Sequence, residues 1–182
     1  MMEYTIPTVD KNSHDAFIWE NLGDIKGGRG ELGEEMPVLV YRLMQFAIRD
    51  VLTKNYGHEQ VNEYFRQAGY LAGSEFSRHV LDLKVDFDVF IANLQKALEN
   101  FKIGILHKEA FDRETGSIVL TVGQDLDCSG LPNTNETMCN YDEGFIAGIL
   151  ETYTEKKYDV SEVSCWANGD GICRFSGTVQ GE

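Results

Sequence analysis

The four cysteines of this chain all fall in its last third, at positions 128, 139, 165 and 173. Cys139 opens a helix-like run, Asn140 to Lys157. The free N–H groups and dipole at a helix start favour a thiolate there. Cys165 and Cys173 stand either side of Asn168-Gly169-Asp170-Gly171, which has the composition of a tight turn. A hairpin centred on Gly169 sets these two cysteines opposite each other, with β-carbons about 5 Å apart, so that both sulfurs reach one ion. Glu162, three residues before Cys165, offers an oxygen. In a regular strand positions 162 and 165 face opposite sides, so recruiting Glu162 requires a bulge or a strand that begins after it. Three thiolates and a carboxylate suit zinc, and a closed set of four ligands makes a structural rather than a catalytic site. The same spacing accommodates an iron–sulfur cluster on all four cysteines, a Cys165–Cys173 disulfide, or buried thiols with no metal.

Around this segment the composition is that of one globular domain: 182 residues, 42% hydrophobic and 25% charged. Lys plus Arg number 16 against 30 Asp plus Glu, a net charge of −14 that repels phosphate backbones and anionic lipid. Direct nucleic-acid binding is not expected. No run approaches the ~18 apolar residues of a membrane span, and the N-terminus lacks a signal-peptide core. With four cysteines in such a chain, the expected compartment is a reducing cytoplasm.

The elements that must position the cysteines read as follows. Residues 1–14 form a loose tail, and the glycine-rich stretch around Gly27 to Gly33 is expected to be a loop without a phosphate-binding pattern. Pro37 opens a helix that stops at Gly57. A second helix is expected over His58 to Leu81, with Gly69 and Gly73 placed for a close approach by another element. A third, Asp86 to Phe101, carries Phe87 and Phe90 on its apolar face. Period then changes to alternation, giving strands near Lys102–Lys108 and Ser117–Asp125 that pair as a hairpin. The helix from Asn140 and a final strand–turn–strand, Tyr158 to Val179, complete an α+β fold with an antiparallel sheet of about four to five strands against several helices. The expected division is a tail and dimerisation segment over 1–30 and a single domain over 31–182.

The motifs C-N-Y-D-E-G-F-I-A-G-I-L-E, V-S-E-V-S-C and G-D-G-I-C-R-F resemble the 4-vinyl reductase domain family, with weaker similarity back to about residue 30. The resemblance implies a fold like that of the TRAPP trafficking subunits and the haem-NO-binding sensors, with a buried apolar cavity. It implies zinc ligands at Cys139, Glu162, Cys165 and Cys173, with Cys128 outside the set. Sensor members bind aromatic hydrocarbons such as phenols at the front of transcriptional activators; others accompany tetrapyrrole biosynthesis. No ATPase or DNA-binding module follows here, and the second strand has no Trp for a polar His/Trp pair, which shifts the expected ligand toward an apolar one.

The expected function is therefore zinc-supported binding or sensing of a small apolar or aromatic molecule, by a homodimer that performs no catalysis itself. The ligand would sit among Phe87, Phe90, Phe101, His107 and Phe145. Two alternatives stand beside it: an enzyme or accessory in tetrapyrrole vinyl reduction, for which no dinucleotide or flavin signature is present, and a TRAPP-like protein-interaction adaptor.

Overall fold

The computed structural model describes residues 17–181, so the tail expected over 1–14 lies outside the described residues. The chain forms two compact units, residues 1–47 and 48–182, which divide inside a helix.

In the first unit a 3-10 turn, Trp19–Leu22, leads to a one-turn helix α1 (Ile25–Gly28). Asp24 caps α1 by accepting the Gly27 N–H at 2.9 Å. The expected loop is thus partly helical, because an Asp-initiated turn satisfies the first free N–H groups whatever glycines follow. Helix α2 (Val38–Tyr56) begins directly after Pro37 and runs on into the second unit, ending before Gly57 (φ 81°).

The second unit holds α3 (His58–Val80), α4 (Phe87–Asn100), strands β1 (Ile105–Phe111) and β2 (Ile118–Gly123), α5 (Asn140–Thr154), and strands β3 (Tyr158–Ser164) and β4 (Cys173–Val179). The four strands form an antiparallel sheet in the order β1-β2-β4-β3. The α+β class and the four-stranded sheet agree with the expectation. Strand β2 joins two hairpins: it pairs with β1 on one side and, through Ile118–Val122, with β4 on the other.

One face of the sheet is buried through Ile118, Leu120, Val122, Val160 and Phe175. Burying such side chains contributes about 1.5–3 kcal/mol each relative to exposure, which is what fixes register on this face. Helices α4 and α5 supply the opposing residues, chiefly Phe90, Ile91, Leu94, Ile149 and Leu150. Helices α3 and α5 meet through glycines. A β-carbon at Gly69 would lie 1.9 Å from the Tyr141 carbonyl oxygen, and one at Gly144 would lie 1.9 Å from that of Arg66. The close approach expected at Gly69 and Gly73 is thus made by α5. No helix among the described residues is long and apolar enough to cross a membrane.

Candidate metal centre

The four thiols converge. Their Sγ atoms all lie within 4.8 Å of one another, and all four residues are 0% exposed. Cys139 Sγ is 3.8 Å from Cys165 Sγ and 3.8 Å from Cys173 Sγ, and Cys128 Sγ is 3.0 Å from Cys173 Sγ.

Each sulfur is placed by a different element. Cys139 is the N-cap of α5. Cys165 follows β3, and Cys173 begins β4. The β3–β4 register slips between Glu162 and Ser164, so Ser164 pairs with Arg174 and the next step sets Cys165 against Cys173. That bulge resolves the parity conflict anticipated for Glu162: both Glu162 (8% exposed) and Cys165 face inward, while Val163 between them is exposed. The connection is not a two-residue hairpin. A 3-10 turn, Trp166–Asn168, precedes Gly169 (φ 102°), and the Cys165 N–H donates to Asn168 Oδ1 at 3.2 Å.

Cys128 arrives from the turn after β2. Val122 near the end of β2 pairs with Cys173, so the chain leaves β2 beside the cluster. Gln124 (φ 52°) reverses it, and Asp125 Oδ1 then accepts the N–H groups of Asp127 at 2.8 Å and Cys128 at 3.0 Å, closing a tight turn. The signal for this lies in D-L-D-C-S-G, an Asx-turn sequence. It becomes informative only with the β2–β4 pairing, since the sequence by itself suggests β1 alone as the partner of β2.

Glu162 stands apart from the mutual set of sulfurs. Its Oε2 accepts the Cys139 N–H at 3.0 Å, and its Oε1 is buried without a hydrogen-bond partner among the described residues. Burial first, and Cys165 beside it, push its carboxyl up to about 8. The chain of contacts continues outward. The Glu162 N–H donates to Glu143 Oε1 at 2.8 Å, and Arg66 Nε donates to Glu143 Oε2 at 2.6 Å. Arg66 and Glu143 form part of an open groove of about 430 Å³ between α3, α5 and β3.

Among the thiols, hydrogen bonding with Cys128, Cys139 and Cys173 holds Cys165 far below the usual thiol range, whereas Cys139 is pushed up, by Cys128 first. The negative charge therefore settles at Cys165 rather than at the helix start, because three neighbouring thiols outweigh one helix terminus. A metal ion suits this donor set. A tetrahedron of sulfurs about 2.3 Å from a central ion has edges of about 3.8 Å, the separation found on two of its edges here. An iron–sulfur cluster carries its thiolates on the outside of a multi-atom cage and needs them farther apart.

Beside the cluster, an apolar cavity of about 20 Å³ lies between α4, the sheet and α5, lined by Leu98, Leu106, Leu120, Phe145, Ile146 and Ile149 among others. Its polar end is made by Asp125 and Asp142, each with a carboxylate oxygen close to Cys139 Sγ. Asp142 Oδ2 is buried with no hydrogen-bond partner among the described residues. Burial, then Asp127, raises Asp125 to about 6, and burial, then Asp125, raises Asp142 well above the carboxylate range.

Of the five residues expected around a ligand, Phe145 lines this cavity. Phe90 is fully buried but stacks on Tyr153 at 4.0 Å, and Phe87 stacks on Phe111 at 4.0 Å. Phe101 is 58% exposed with its edge toward Phe76. His107 lies on the exposed side of β1, facing away from buried Leu106. An aromatic stripe at helical spacing identifies core positions; it carries no information on which of them border a void.

These elements define an α+β fold shared with several solved structures. The chain is similar to the phenol-responsive sensory domain of the transcription activator PoxR, with a TM-score of 0.63 at 12% identity over 81% of this chain and 76% of that one. A trafficking protein particle complex subunit 3 from Naegleria fowleri, covalently bound to palmitic acid, is similar with a TM-score of 0.63 at 12% identity, covering 79% and 95%. A vinyl-4-reductase family protein from Methanocaldococcus jannaschii gives 0.58 at 16% identity, covering 83% and 86%. At these identities the likeness is one of fold. The family model of the 4-vinyl reductase (V-4-R) domain matches residues 118–179, which contain β2, α5, β3, β4 and all four cysteines. The chain carries a 4-vinyl reductase domain, as its cysteine-bearing motifs imply.

Proposed function

We propose that this 4-vinyl reductase domain binds a small, mainly apolar or aromatic molecule, is held together by one zinc ion, and signals as a homodimer in a reducing cytoplasm without catalysis of its own. The observation that carries the proposal is the shared use of α5. Its N-cap, Cys139, belongs to the thiol cluster, and Phe145, Ile146 and Ile149 on the same helix wall the apolar cavity. Zinc on Cys139, Cys165, Cys173 and one further donor would fix the helix against β3 and β4. No open coordination position would remain for substrate. Similarity of fold to a phenol-responsive sensory domain supports the same reading. Here the polar end of the cavity is supplied by Asp142 and Asp125, so a hydroxyl or amine on an otherwise apolar ligand would find an acceptor at Asp142 Oδ2.

A cavity of about 20 Å³ has room for about one water. Binding a ring therefore requires side chains such as Phe145 and Ile149 to turn aside. A thermal-shift panel of alkylbenzenes and phenols tests this. A ligand at 100 times its Kd stabilises by about 2.7 kcal/mol, an easily measured shift. Leu98→Ala, which widens the cavity, is expected to tighten binding. Absence of any shift across the panel, in both wild type and Leu98→Ala, contradicts the proposal. The same small cavity favours a second reading, an adaptor whose core is filled by its own side chains. That reading predicts partner binding with no small-molecule response.

A further inference from the structure

We propose that Cys128 is the fourth ligand of the metal ion, and that Glu162 lies outside the coordination shell as the acceptor that holds the Cys139 backbone in place. The inference rests on the metal-site reading above and specifies its donor set.

Three observations converge. First, Cys128 Sγ belongs to the group of sulfurs that lie within 4.8 Å of one another, and the Glu162 carboxylate does not belong to it. Second, Cys128 is held there by its surroundings: its N–H donates to Asp125 Oδ1 at 3.0 Å, and the residue is fully buried. Third, Glu162 already has a task. Its Oε2 accepts the Cys139 N–H at 3.0 Å, a contact that orients a ligand from outside the shell, as the outer partners of metal ligands commonly do. Four thiolates also make a softer donor set than three thiolates and an oxygen, which favours zinc over harder divalent ions.

The buried Glu162 Oε1, without a hydrogen-bond partner among the described residues, gives this arrangement a second property. It is an oxygen donor beside the cluster. When Cys128 is removed, Oε1 is positioned to take its place. Glu162 is thus a reserve ligand: loss of Cys128 weakens metal binding, and loss of both donors abolishes it. The fourth thiolate also changes what the ion ties together. With Cys128 included, the metal joins the turn after β2 to the start of α5, the end of β3 and the start of β4. The cavity wall is then closed on the β2 side as well.

Cobalt(II), a spectroscopic stand-in for zinc, tests the assignment. Wild-type protein is expected to bind one cobalt ion per chain with a four-thiolate charge-transfer spectrum, and Glu162→Gln to retain that spectrum. Cys128→Ser should lose roughly a quarter of the charge-transfer intensity, one thiolate in four, and bind about 10–100-fold more weakly. Cys128→Ser/Glu162→Gln should bind no cobalt. An unchanged spectrum in Cys128→Ser together with a changed one in Glu162→Gln overturns the assignment while leaving the metal site standing. Failure of the wild type to bind any ion overturns the metal reading itself. X-ray absorption of the zinc-loaded wild type decides the point without variants: four sulfur neighbours support Cys128, and three sulfurs with one oxygen overturn it.

Discussion

Glu143 shows how much of the site depends on residues that touch no candidate ligand atom. It is 6% exposed, and its carboxylate accepts from the Glu162 N–H, from Arg66 Nε and, at 3.3 Å, from Asn140 Nδ2. Replacing it with alanine leaves a buried N–H without an acceptor, a loss of about 1–3 kcal/mol. The Arg66 pair, half exposed on the arginine side, adds at most about 1 kcal/mol. Glu143→Ala is expected to lower Tm by roughly 5–10 °C. Glu143→Gln, which keeps an acceptor, should lose less. An unchanged Tm in Glu143→Ala would show that the contact is dispensable. Nothing in the sequence marks this residue, because a glutamate in the first turn of a helix is ordinary. Its meaning depends on α3 and β3 arriving at the same place.

Between α3 and α5 the decisive residues are the smallest. Gly69 and Gly73 on one helix face Gly144 and Gly148 on the other, and a β-carbon at Gly73 would come within 2.1 Å of the Phe145 carbonyl oxygen. Backbone meets backbone, so neither side can yield as a side-chain end would. Gly73→Ala or Gly144→Ala is expected to cost about 3 kcal/mol or more, whereas Gly30→Ala, with open space around it, should stay within about 0.5 kcal/mol. Urea unfolding of the three variants checks this, and a neutral Gly73→Ala would contradict the packing. The helices are legible from periodicity, and the paired strands from alternation and turn residues. Pro37 and Gly57 bracket α2 where a proline start and a glycine stop predict. The bulge at Val163 is legible as a requirement, since Glu162 and Cys165 can face the same way only with an extra residue between them. The β2–β4 pairing is not legible, because long-range strand order leaves no local pattern. The place of Cys128 is hidden with it.

At the scale of the whole molecule, two features call for a partner and an ion. Helix α2 leaves Leu39 67%, Leu43 62%, Met44 56% and Val51 57% exposed, an apolar stripe on a chain with a net charge of −14. A second copy is the partner proposed for it, since a helix can pack against its own symmetry mate. Leu43→Glu is then expected to turn a dimer into a monomer in light scattering while leaving metal content unchanged. A monomeric wild type would refute the dimer. The ion is the more central claim, because four sulfurs from the turn after β2, α5, β3 and β4 have one reason to share so small a volume. The most direct test is native mass spectrometry with elemental analysis of protein purified without added metal, before and after a strong chelator. One zinc per chain is expected, with thiols that resist alkylation until the chelator removes the ion and a large fall in Tm on removal, because binding free energy at such a site is folding free energy. Metal-free protein whose four thiols alkylate freely and whose Tm ignores the chelator would contradict the account.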